Sequence, residues 1–399
     1  MAWKCVKVEE QREYLVKSYV SKAASMSELC EECGVSRTTG YKWYYRYLEE
    51  VESGLLDQSR APKFPKRKFS EEQMKVALEL KQKRPKYGPS KIAALLARKF
   101  PDQAWPSSTR LYHLFREHHL ICSRKLRRRV PRTHPLGQVN ASNDVWCADF
   151  KGWFLTEDQS KIEPLTITDG YSRFVIRCLH LERKRSIDVW RVYSEAFHEY
   201  GLPLRIRTDN GPPFATTGVG RLSSLSVNLI KAGVIPEWIN PGHPEENGRH
   251  ERFHRSLKEA VASPPANTFS EQIVRMGAFT DEYNFDRPHE ALGQQTPGSY
   301  YDPSPRQWDG ILRAPEYDSK EMAIRKVCSN GCIHWKRLEC YLGKVLSNEY
   351  VGLREAGNGY YRVFYGPVFL GTLIEGEGFK RPEFPKKKSR RAFVNHVSE

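Results

Sequence analysis

The chain has 399 residues, and 64 Lys and Arg against 48 Asp and Glu give it a formal net charge of +16. A chain of this length is expected to form roughly two to four domains. No window approaches about 18 consecutive apolar residues, and the first residues lack the pattern of a signal peptide, so we expect neither a membrane span nor secretion. Nine cysteines form an odd, scattered set, which is typical of reduced thiols in a cytoplasmic protein.

Charge is distributed unevenly along the chain. Residues 1–50 balance 8 positive against 8 negative side chains, whereas residues 51–140 carry 21 against 7. Residues 141–300 carry 18 against 21, and residues 301–399 carry 17 against 12. A mildly acidic centre between basic flanks suits a protein whose flanks bind a polyanion while its centre gathers carboxylates for chemistry. A solvated charged surface is the alternative interpretation.

The first sixty residues contain three segments with the spacing of helices. These segments are Arg12–Val20, Met26–Glu32 and Arg37–Leu48. Between the last two, Gly34 lies in a predicted turn and Ser36 is positioned as the N-cap of the third helix. The order of helix, turn and helix predicts a helix-turn-helix motif.

The third of these helices is the expected DNA-reading helix. We expect Tyr41, Trp43 and Leu48 to be buried beneath it. Its polar side chains would then face a DNA groove. They are Arg37, Thr38, Thr39, Lys42 and Arg46.

A second trio of helices is predicted between Ser70 and Leu120, after a basic stretch rich in turn residues. Gly88-Pro89 opens its middle helix, and Ser107 or Ser108 caps its last helix. We therefore expect two tandem helix-turn-helix units that read adjacent DNA segments. The predicted DNA contacts of this second unit and of the basic linker behind it are Lys91, Arg110, Arg124, Lys125, Arg127, Arg128 and Arg129.

From Asp144 onward the periodicity becomes that of strands surrounding one helix, Ser186–Tyr200. Strands first and helices later indicate α+β or mixed α/β packing. The strand runs are Val145–Phe150, Glu163–Thr168, Phe174–Leu179 and Leu204–Thr208.

Past Tyr301 the helical pattern fades, and short strands are separated by Gly and Asn. We interpret this part as a small β-barrel. The basic tail that ends the chain is too polar to pack. The predicted strands are Ala323–Val327, Cys332–Lys336, Tyr350–Glu355, Tyr360–Tyr365 and Val368–Ile374.

Three acidic residues lie where a predicted strand or helix ends or turns one face toward its neighbours. Asp149 lies in the first strand run of the centre, and Asp209 precedes the tight turn Asn210-Gly211. Glu251 lies on a helix predicted to begin near Pro244. Each alone is ordinary, since Asp before Asn-Gly is common turn chemistry and a helical Glu is usually solvated.

The helix that carries Glu251 is predicted to have two distinct faces. On a wheel of about 100° per residue, Glu251 and Lys258 fall within about 20° of each other. The apolar residues Phe253, Leu257 and Val261 lie on the other side. One helix would thus present a carboxylate and a cation together while packing through its opposite face.

Taken together, these segments resemble the DDE triad of transposases and retroviral-type integrases, whose catalytic core has an RNase H-like fold. The resemblance rests on Trp146-Cys-Ala-Asp149, on Thr208-Asp-Asn-Gly211, and on the run from Pro241 through Asn247 to Glu251-Arg-Phe-His254. Downstream, Tyr283–Gly293 and Thr296–Tyr301 are similar to the end of the core in bacterial insertion-sequence transposases. The similarity covers residues 145–300 directly and the remainder more loosely.

The resemblance implies a metal-dependent reaction. Asp149, Asp209 and Glu251 would bind two Mg²⁺ ions, with Mn²⁺ as a substitute, and Lys258 matches a basic position that follows the glutamate of the triad. Phosphodiester displacement needs two hard cations about 4 Å apart to stabilise the attacking and leaving oxygens. Carboxylates are the ligands that Mg²⁺ prefers. The implied reaction is DNA cleavage and strand transfer by transesterification, without a nucleotide cofactor.

Other residues around the triad are expected to hold DNA. Lys258 would contact a phosphate, and the residues expected to position DNA near the metals are His243, Asn247 and His254.

The identity of the glutamate has an alternative. The gap between Asp209 and Glu251 contains 41 residues, which is longer than the integrase pattern, and Glu245 and Glu246 are neighbouring carboxylates. We favour Glu251 because it alone occupies the motif position and shares a helix face with Lys258.

Zinc is not expected. Cys30 and Cys33 have the spacing of half a zinc site, but the next histidine is His113. His118, His119 and Cys122 do not complete a four-ligand pattern either. The absence of a zinc module ahead of the core places the sequence nearer bacterial transposases than retroviral enzymes.

The sequence therefore predicts a multidomain transposase that binds the ends of its own element, acts on double-stranded DNA as at least a dimer, and is nucleoid-associated when bound to DNA. The rival interpretations are a DNA-binding regulator derived from such a protein and a nuclease of the same fold. The predicted segments are two helix-turn-helix domains (1–60 and 61–122), a basic linker (123–142), an α/β RNase H-like core (143–302), a linker with a β-barrel (303–378) and a flexible tail (379–399).

Overall fold

The computed structural model of the protein describes residues 7–57, 69–121, 139–240 and 243–382. Its contacts divide the chain into two units, Met1–Ser70 and Glu71–Glu399. No helix in the described ranges is long and apolar enough to cross a membrane. The six predicted segment boundaries stay a prediction. Five predicted DNA contacts lie outside the described residues, namely Arg124, Lys125, Arg127, Arg128 and Arg129.

Three helices and a 3-10 turn form the first unit. They are α1 (Val8–Val20), α2 (Met26–Glu32), α3 (Arg37–Glu50) and the turn Val51–Leu55. Ser36 caps α3 as predicted, because its side chain accepts a hydrogen bond from the backbone N–H of Thr39. Gly34 occupies the intervening turn with φ +65°, a conformation that favours glycine. The predicted helix-turn-helix is confirmed.

Close contact between α2 and α3 depends on Gly40. A Cβ atom at this position would lie 2.4 Å from Cys30 Sγ and 2.7 Å from Met26 Sδ. Both partners are buried in the apolar cluster of this unit, beside Leu15 and Leu29. The backbone of α3 at Gly40 therefore packs directly against side chains of α2, with no room for a methyl group.

The predicted burial of Tyr41 and Leu48 is wrong, since these side chains are 37% and 58% exposed. Trp43 is half-buried, and the guanidinium groups of Arg12 and Arg46 lie over its ring at 3.9 and 4.6 Å from the centroid. Fewer side chains of α3 are therefore buried than the spacing of its apolar residues indicates.

We expect Gly40→Ala to destabilise the first unit, although the same change inside an exposed helix is normally favourable. The added methyl overpacks the contact with Cys30 and Met26, which should lower the free energy of unfolding by about 1–3 kcal/mol. Scanning calorimetry of the full chain measures this. Gly277→Ala is the matched control, because a Cβ there would meet nothing within 4 Å. Equal effects of the two substitutions would contradict the close packing.

The second trio of helices opens the second unit. It consists of α4 (Glu71–Lys83), α5 (Pro89–Lys99) and α6 (Ser108–Glu117). Pro89 occupies the first turn of α5, and Ser107, rather than Ser108, caps α6 by accepting from the Arg110 N–H. The three helices share a core that includes Ile92, Leu96, Leu111 and Phe115.

A five-stranded mixed sheet follows. Its strand order is β5-β4-β1-β6-β7, in which β1 pairs antiparallel with β4 and parallel with β6. The strands are β1 (Val145–Phe150), β4 (Pro164–Asp169), β5 (Val175–His180), β6 (Arg205–Thr208) and β7 (Ile235–Trp238), and β2 (Phe154–Leu155) and β3 (Lys161–Ile162) form a separate small hairpin.

Helices cover both faces of this sheet. On one face, α7 (Ser186–Tyr200) and α8 (Ser224–Lys231) pack on an apolar cluster that contains Trp146, Ala148 and Ile206. On the other face lie α9 (Gly248–Val261) and α10 (Phe269–Asp281), which ends in the π-helical turn Glu282–Asp286. The predicted α/β core is confirmed as a sheet between helical layers.

The second helical trio is docked on this π-helical turn. The Tyr87 hydroxyl donates to Glu282 Oε1 at 2.6 Å, and Arg84 forms an ion pair with the same carboxylate. Arg98 donates to the main-chain oxygen of Asp286 at 2.6 Å. Burial and the Glu282 carboxylate raise the pKa of Tyr87, so the phenol stays protonated as a donor.

We expect Tyr87→Phe and Glu282→Gln to show coupled effects on stability. Each removes a charge-assisted hydrogen bond and should lower the free energy of unfolding by about 1–2 kcal/mol. The double variant should lose less than the sum, which a double-mutant cycle by urea unfolding measures. Tyr112→Phe, on the exposed side of α6, is the matched control. Additive losses would contradict a direct bond.

The described residues of the C-terminal part form seven strands. Five of them form an antiparallel sheet in the order β14-β13-β12-β11-β8, and β9 and β10 form a separate ribbon. This order has two unpaired edges, so the sheet is not closed and the predicted barrel is not confirmed. The strands are β8 (Met322–Lys326), β9 (Cys332–Trp335), β10 (Leu338–Tyr341), β11 (Tyr350–Glu355), β12 (Tyr360–Tyr365), β13 (Val368–Ile374) and β14 (Gly378–Lys380).

Candidate active site

Asp149 and Asp209 emerge side by side from neighbouring parallel strands. The register pairs Cys147 of β1 with Arg207 of β6. Asp149 lies two residues after Cys147, and Asp209 lies two residues after Arg207. Parallel neighbours are about 4.8 Å apart, and residues two apart share a face. The Asp209 carboxylate also accepts from the Gly211 N–H at 3.1 Å, which fixes it in the predicted tight turn. The first two predicted site residues are therefore brought together.

The electrostatics of Asp149 show the effect of this proximity. Burial, together with the nearby carboxylates of Asp209 and Glu251, raises the pKa of its carboxyl group to about 7. Lys184 acts in the opposite direction. Negative charge at this edge of the sheet is thus unfavourable unless a cation is near.

Glu251 approaches the two aspartates from α9. The helix begins at Gly248 after a 3-10 turn over Pro244–Asn247, slightly later than predicted. Phe253, Leu257 and Val261 are buried against the sheet, as the wheel predicts. Glu251 is exposed in the first turn and acts on Asp149 through its charge.

Two histidines attach α9 to β4. His250 Nε2 and His254 Nε2 both lie 2.7 Å from Thr166 Oγ1, and His250 Nδ1 lies 2.9 Å from Thr168 Oγ1. His254 Nδ1 is 3.9 Å from the Asp149 carboxylate. Burial lowers the pKa of both imidazoles, that of His254 to about 3, so both are neutral. These bonds fix α9 beside the aspartates.

The described residues contain no group of three or more His, Cys, Asp and Glu side chains close enough to hold a metal ion. The site is therefore an aspartate pair with Glu251 at longer range. Glu246, one of the two alternative glutamates, accepts from the backbone and side-chain N–H groups of Asn240 at 2.7 and 2.8 Å, whereas the side chain of Glu245 lies outside the description. The Glu246 carboxylate stabilises the loop at Asn240, which favours Glu251 over Glu246.

Two family models of the integrase core domain match this region, over residues 139–244 and 232–297. A homeodomain-like model matches residues 39–115. The chain carries an integrase core domain. Its predicted resemblance to insertion-sequence transposases is confirmed.

Three relatives of this integrase core are proteins of insertion elements. A 31.7 kDa protein of insertion element IS407 from Burkholderia multivorans is 25% identical over 226 residues, which cover 56% of this chain and 78% of that protein. An IS476 protein from Xanthomonas euvesicatoria is 25% identical over 230 residues, covering 56% and 62%. The transposase InsD of insertion element IS2D from Escherichia coli is 25% identical over 243 residues, covering 54% and 73%.

Solved retroviral integrases are also similar to this chain. The HTLV-2 integrase catalytic core domain, solved in complex with magnesium, has a TM-score of 0.33 and 16% identity and covers 41% of this chain and 99% of its own. A simian T-cell lymphotropic virus intasome chain has a TM-score of 0.37 and 14% identity and covers 78% and 100%.

Basic residues flank the aspartates of the integrase core. Lys258 is exposed two turns beyond Glu251, on the predicted face of α9. Burial and the nearby Lys258 ammonium lower the pKa of Lys151, which follows β1 directly. The sequence analysis missed Lys151, although its place two residues after Asp149 was a usable signal.

The three residues predicted to position DNA at the integrase core have different surroundings. His243 is half-buried, and Asn247 is buried with an Oδ1 atom that has no hydrogen-bond partner among the described residues. His254 is only 9% exposed and is occupied by Thr166, so its predicted contact with DNA stays a prediction that its burial disfavours. The sequence analysis also missed His250 and the two threonines.

The predicted DNA contacts of the helical units are placed as follows. Arg37, Thr38, Lys42 and Arg110 are exposed. Thr39 is bonded to Ser36 through its hydroxyl at 2.9 Å. Arg46 lies over Trp43 and donates to the Leu56 carbonyl, and Lys91 lies over the ring of Tyr87 at 5.4 Å.

We expect Asp149→Asn to stabilise the metal-free protein. At pH 8 the substitution removes a partly buried charge that Asp209 and Glu251 repel, and the free energy of unfolding should rise by about 1–2 kcal/mol. Thermal unfolding in EDTA measures the gain. Asp281→Asn, at the exposed end of α10, should leave the melting temperature within about one degree. A lower melting temperature for Asp149→Asn would show that its carboxylate stabilises the fold.

Proposed function

We propose that this protein is a transposase that binds the ends of its own element and cleaves and joins DNA in a metal-dependent reaction. The observation that carries the proposal is that the register of β1 and β6 places Asp149 beside Asp209 in an integrase core domain. The charge of Glu251 acts on the same site. The preceding helix-turn-helix units and the basic charge of the chain support DNA as the substrate.

The donor set at this site fits Mg²⁺. Asp149, Asp209 and Glu251 offer carboxylate oxygens, which are the ligands of hard cations, and the raised pKa of Asp149 reports a charge repulsion that a cation relieves. The side-chain oxygen Oδ1 of Asn247, buried one turn before Glu251 with no partner in the described part of the chain, is a further oxygen at the start of α9. When bound, Mg²⁺ supplies Lewis-acid stabilisation of the phosphate oxygens.

The residues of the chain have separate roles in this proposal. Asp149 and Asp209 hold the cation, and Glu251 completes its ligands from α9. Lys258 and Lys151 attract the DNA phosphate and keep the scissile group near the aspartates. The proposal includes two ions per site, because in-line displacement needs both the attacking and the leaving oxygen to be stabilised. It also includes Mn²⁺ as a substitute for Mg²⁺.

Assembly and DNA contacts extend the proposal beyond the site. The exposed Arg37, Thr38 and Lys42 of α3 read the element end, and the C-terminal strands add nonspecific contacts. Two ends must be held together before joining, so the active species is at least a dimer on DNA.

The test uses the purified chain with labelled duplexes copied from the DNA on both sides of its own gene. We expect Mg²⁺- or Mn²⁺-dependent nicking at the 3′ ends and joining to a second duplex. Asp209→Asn and Glu251→Gln should each reduce the rate at least about 100-fold, because each removes a charge that acts in the transition state. Gel analysis of the products measures both steps.

The matched control is Glu246→Gln, which alters the neighbouring carboxylate that braces Asn240. It should retain end binding and lose far less activity than Glu251→Gln. Specific binding without nicking would favour a DNA-binding regulator, and nicking without joining would favour a nuclease. Cleavage that survives Glu251→Gln but not Glu246→Gln would move the glutamate role to Glu246.

A further inference from the structure

The hydrogen bonds around Thr166 determine where the histidine protons lie. Its hydroxyl has one hydrogen and two lone pairs, and it contacts three groups. These are the Asp149 carbonyl oxygen at 3.0 Å, His250 Nε2 and His254 Nε2. The carbonyl oxygen can only accept, so the hydroxyl donates to it. Both Nε2 atoms must therefore donate to the hydroxyl oxygen.

The remaining nitrogen of each imidazole ring, Nδ1, is an acceptor. Both rings are almost completely buried, which favours the uncharged imidazole with a single N–H, so both Nδ1 atoms have lone pairs. His250 Nδ1 accepts from the Thr168 hydroxyl, which completes its hydrogen bonds. His254 Nδ1 instead faces the Asp149 carboxylate at 3.9 Å, which is too far for a direct hydrogen bond and brings two acceptors together.

Two facing acceptors at this separation fit a donor that lies between them. A water molecule at an ordinary distance of about 2.8 Å from each atom would span the gap and donate to both. The ammonium group of Lys151 also acts on His254 through its charge, and the Asp149 side chain is one-quarter exposed, so solvent reaches this carboxylate.

We propose that His254 is a positioning residue whose Nδ1 accepts a hydrogen bond from a water molecule held by Asp149 and its bound divalent cation. The inference rests on the proposed function, because it assigns the cation to the aspartate pair. His254 thereby orients one water of the hydration shell while its other nitrogen holds α9 to Thr166. Groups that orient metal ligands or metal-bound water in this way influence affinity as well as rate.

Two substitutions of His254 separate these two duties. In His254→Gln, the longer amide reaches the Nε2 position and can still donate to Thr166, but it leaves no acceptor at the Nδ1 position. In His254→Asn, the shorter amide places its oxygen near the Nδ1 position and loses the bond to Thr166. His334→Gln, on an exposed position of β9, is the control for loss of an imidazole elsewhere.

The experiment measures Mn²⁺ binding to the full chain by calorimetry and thermal unfolding without metal. For His254→Gln we expect a dissociation constant about tenfold weaker with an unchanged melting temperature. For His254→Asn we expect a lower melting temperature and a dissociation constant within about threefold of the unsubstituted chain. His334→Gln should change neither quantity. Opposite effects of the two variants are a result that a purely structural histidine does not give.

Four outcomes would overturn the inference. Equal Mn²⁺ affinity for His254→Gln and the unsubstituted chain would show that Nδ1 does not act on the cation. Parallel loss of affinity and melting temperature in both variants would show a structural role only. Direct nitrogen coupling in the electron paramagnetic resonance spectrum of bound Mn²⁺ would show that the imidazole binds the ion itself. Binding that is absent, or unchanged in Asp149→Asn, would reject the proposed metal site as well.

Discussion

The parallel pairing of β1 with β6 is the constraint on which the candidate site depends. At β1 the sheet changes from antiparallel pairing with β4 to parallel pairing with β6, so two strands that run in the same direction end at one edge. Burial of Trp146 and Ile206 on the opposite face fixes the register, because a slip of one residue would turn the carboxylates into the apolar core. The apolar face thus stabilises a strand pair whose polar ends repel each other.

The position of α9 depends on a different kind of interaction. Phe253 and Leu257 hold the helix to the sheet, but apolar contacts are non-directional and tolerate small rotations. The bonds from His250 and His254 to Thr166 are directional, and both are almost completely removed from water. They determine how far Glu251 lies from the aspartates. An apolar interface supplies the attachment, and a small polar network supplies the alignment.

Sequence periodicity predicted the elements with strong, continuous patterns. The bounds predicted for Ser186–Tyr200 and Tyr350–Glu355 agree with the structure, whereas the short strand β7 was missed. The aspartate pair was predictable because strand ends and turn residues are local signals. The link between Thr166 and His250 was not, because the two residues are 84 positions apart and their contact exists only after α9 has docked. Barrel closure was likewise beyond periodicity, since it depends on which edges pair.

The docked second helical trio limits how such a protein can diversify. Its basic and phenolic side chains, Arg84, Tyr87 and Arg98, match Glu282 and the main chain at Asp286. A trio exchanged from a related element would leave a half-buried carboxylate without its donors unless the segment 282–286 were exchanged with it. Under the proposed function, new DNA specificity is therefore easier to acquire by point substitution on the exposed helix surfaces than by replacement of the whole trio. In this chain the contacts at the π-helical turn therefore require the second helical trio and the core to change together.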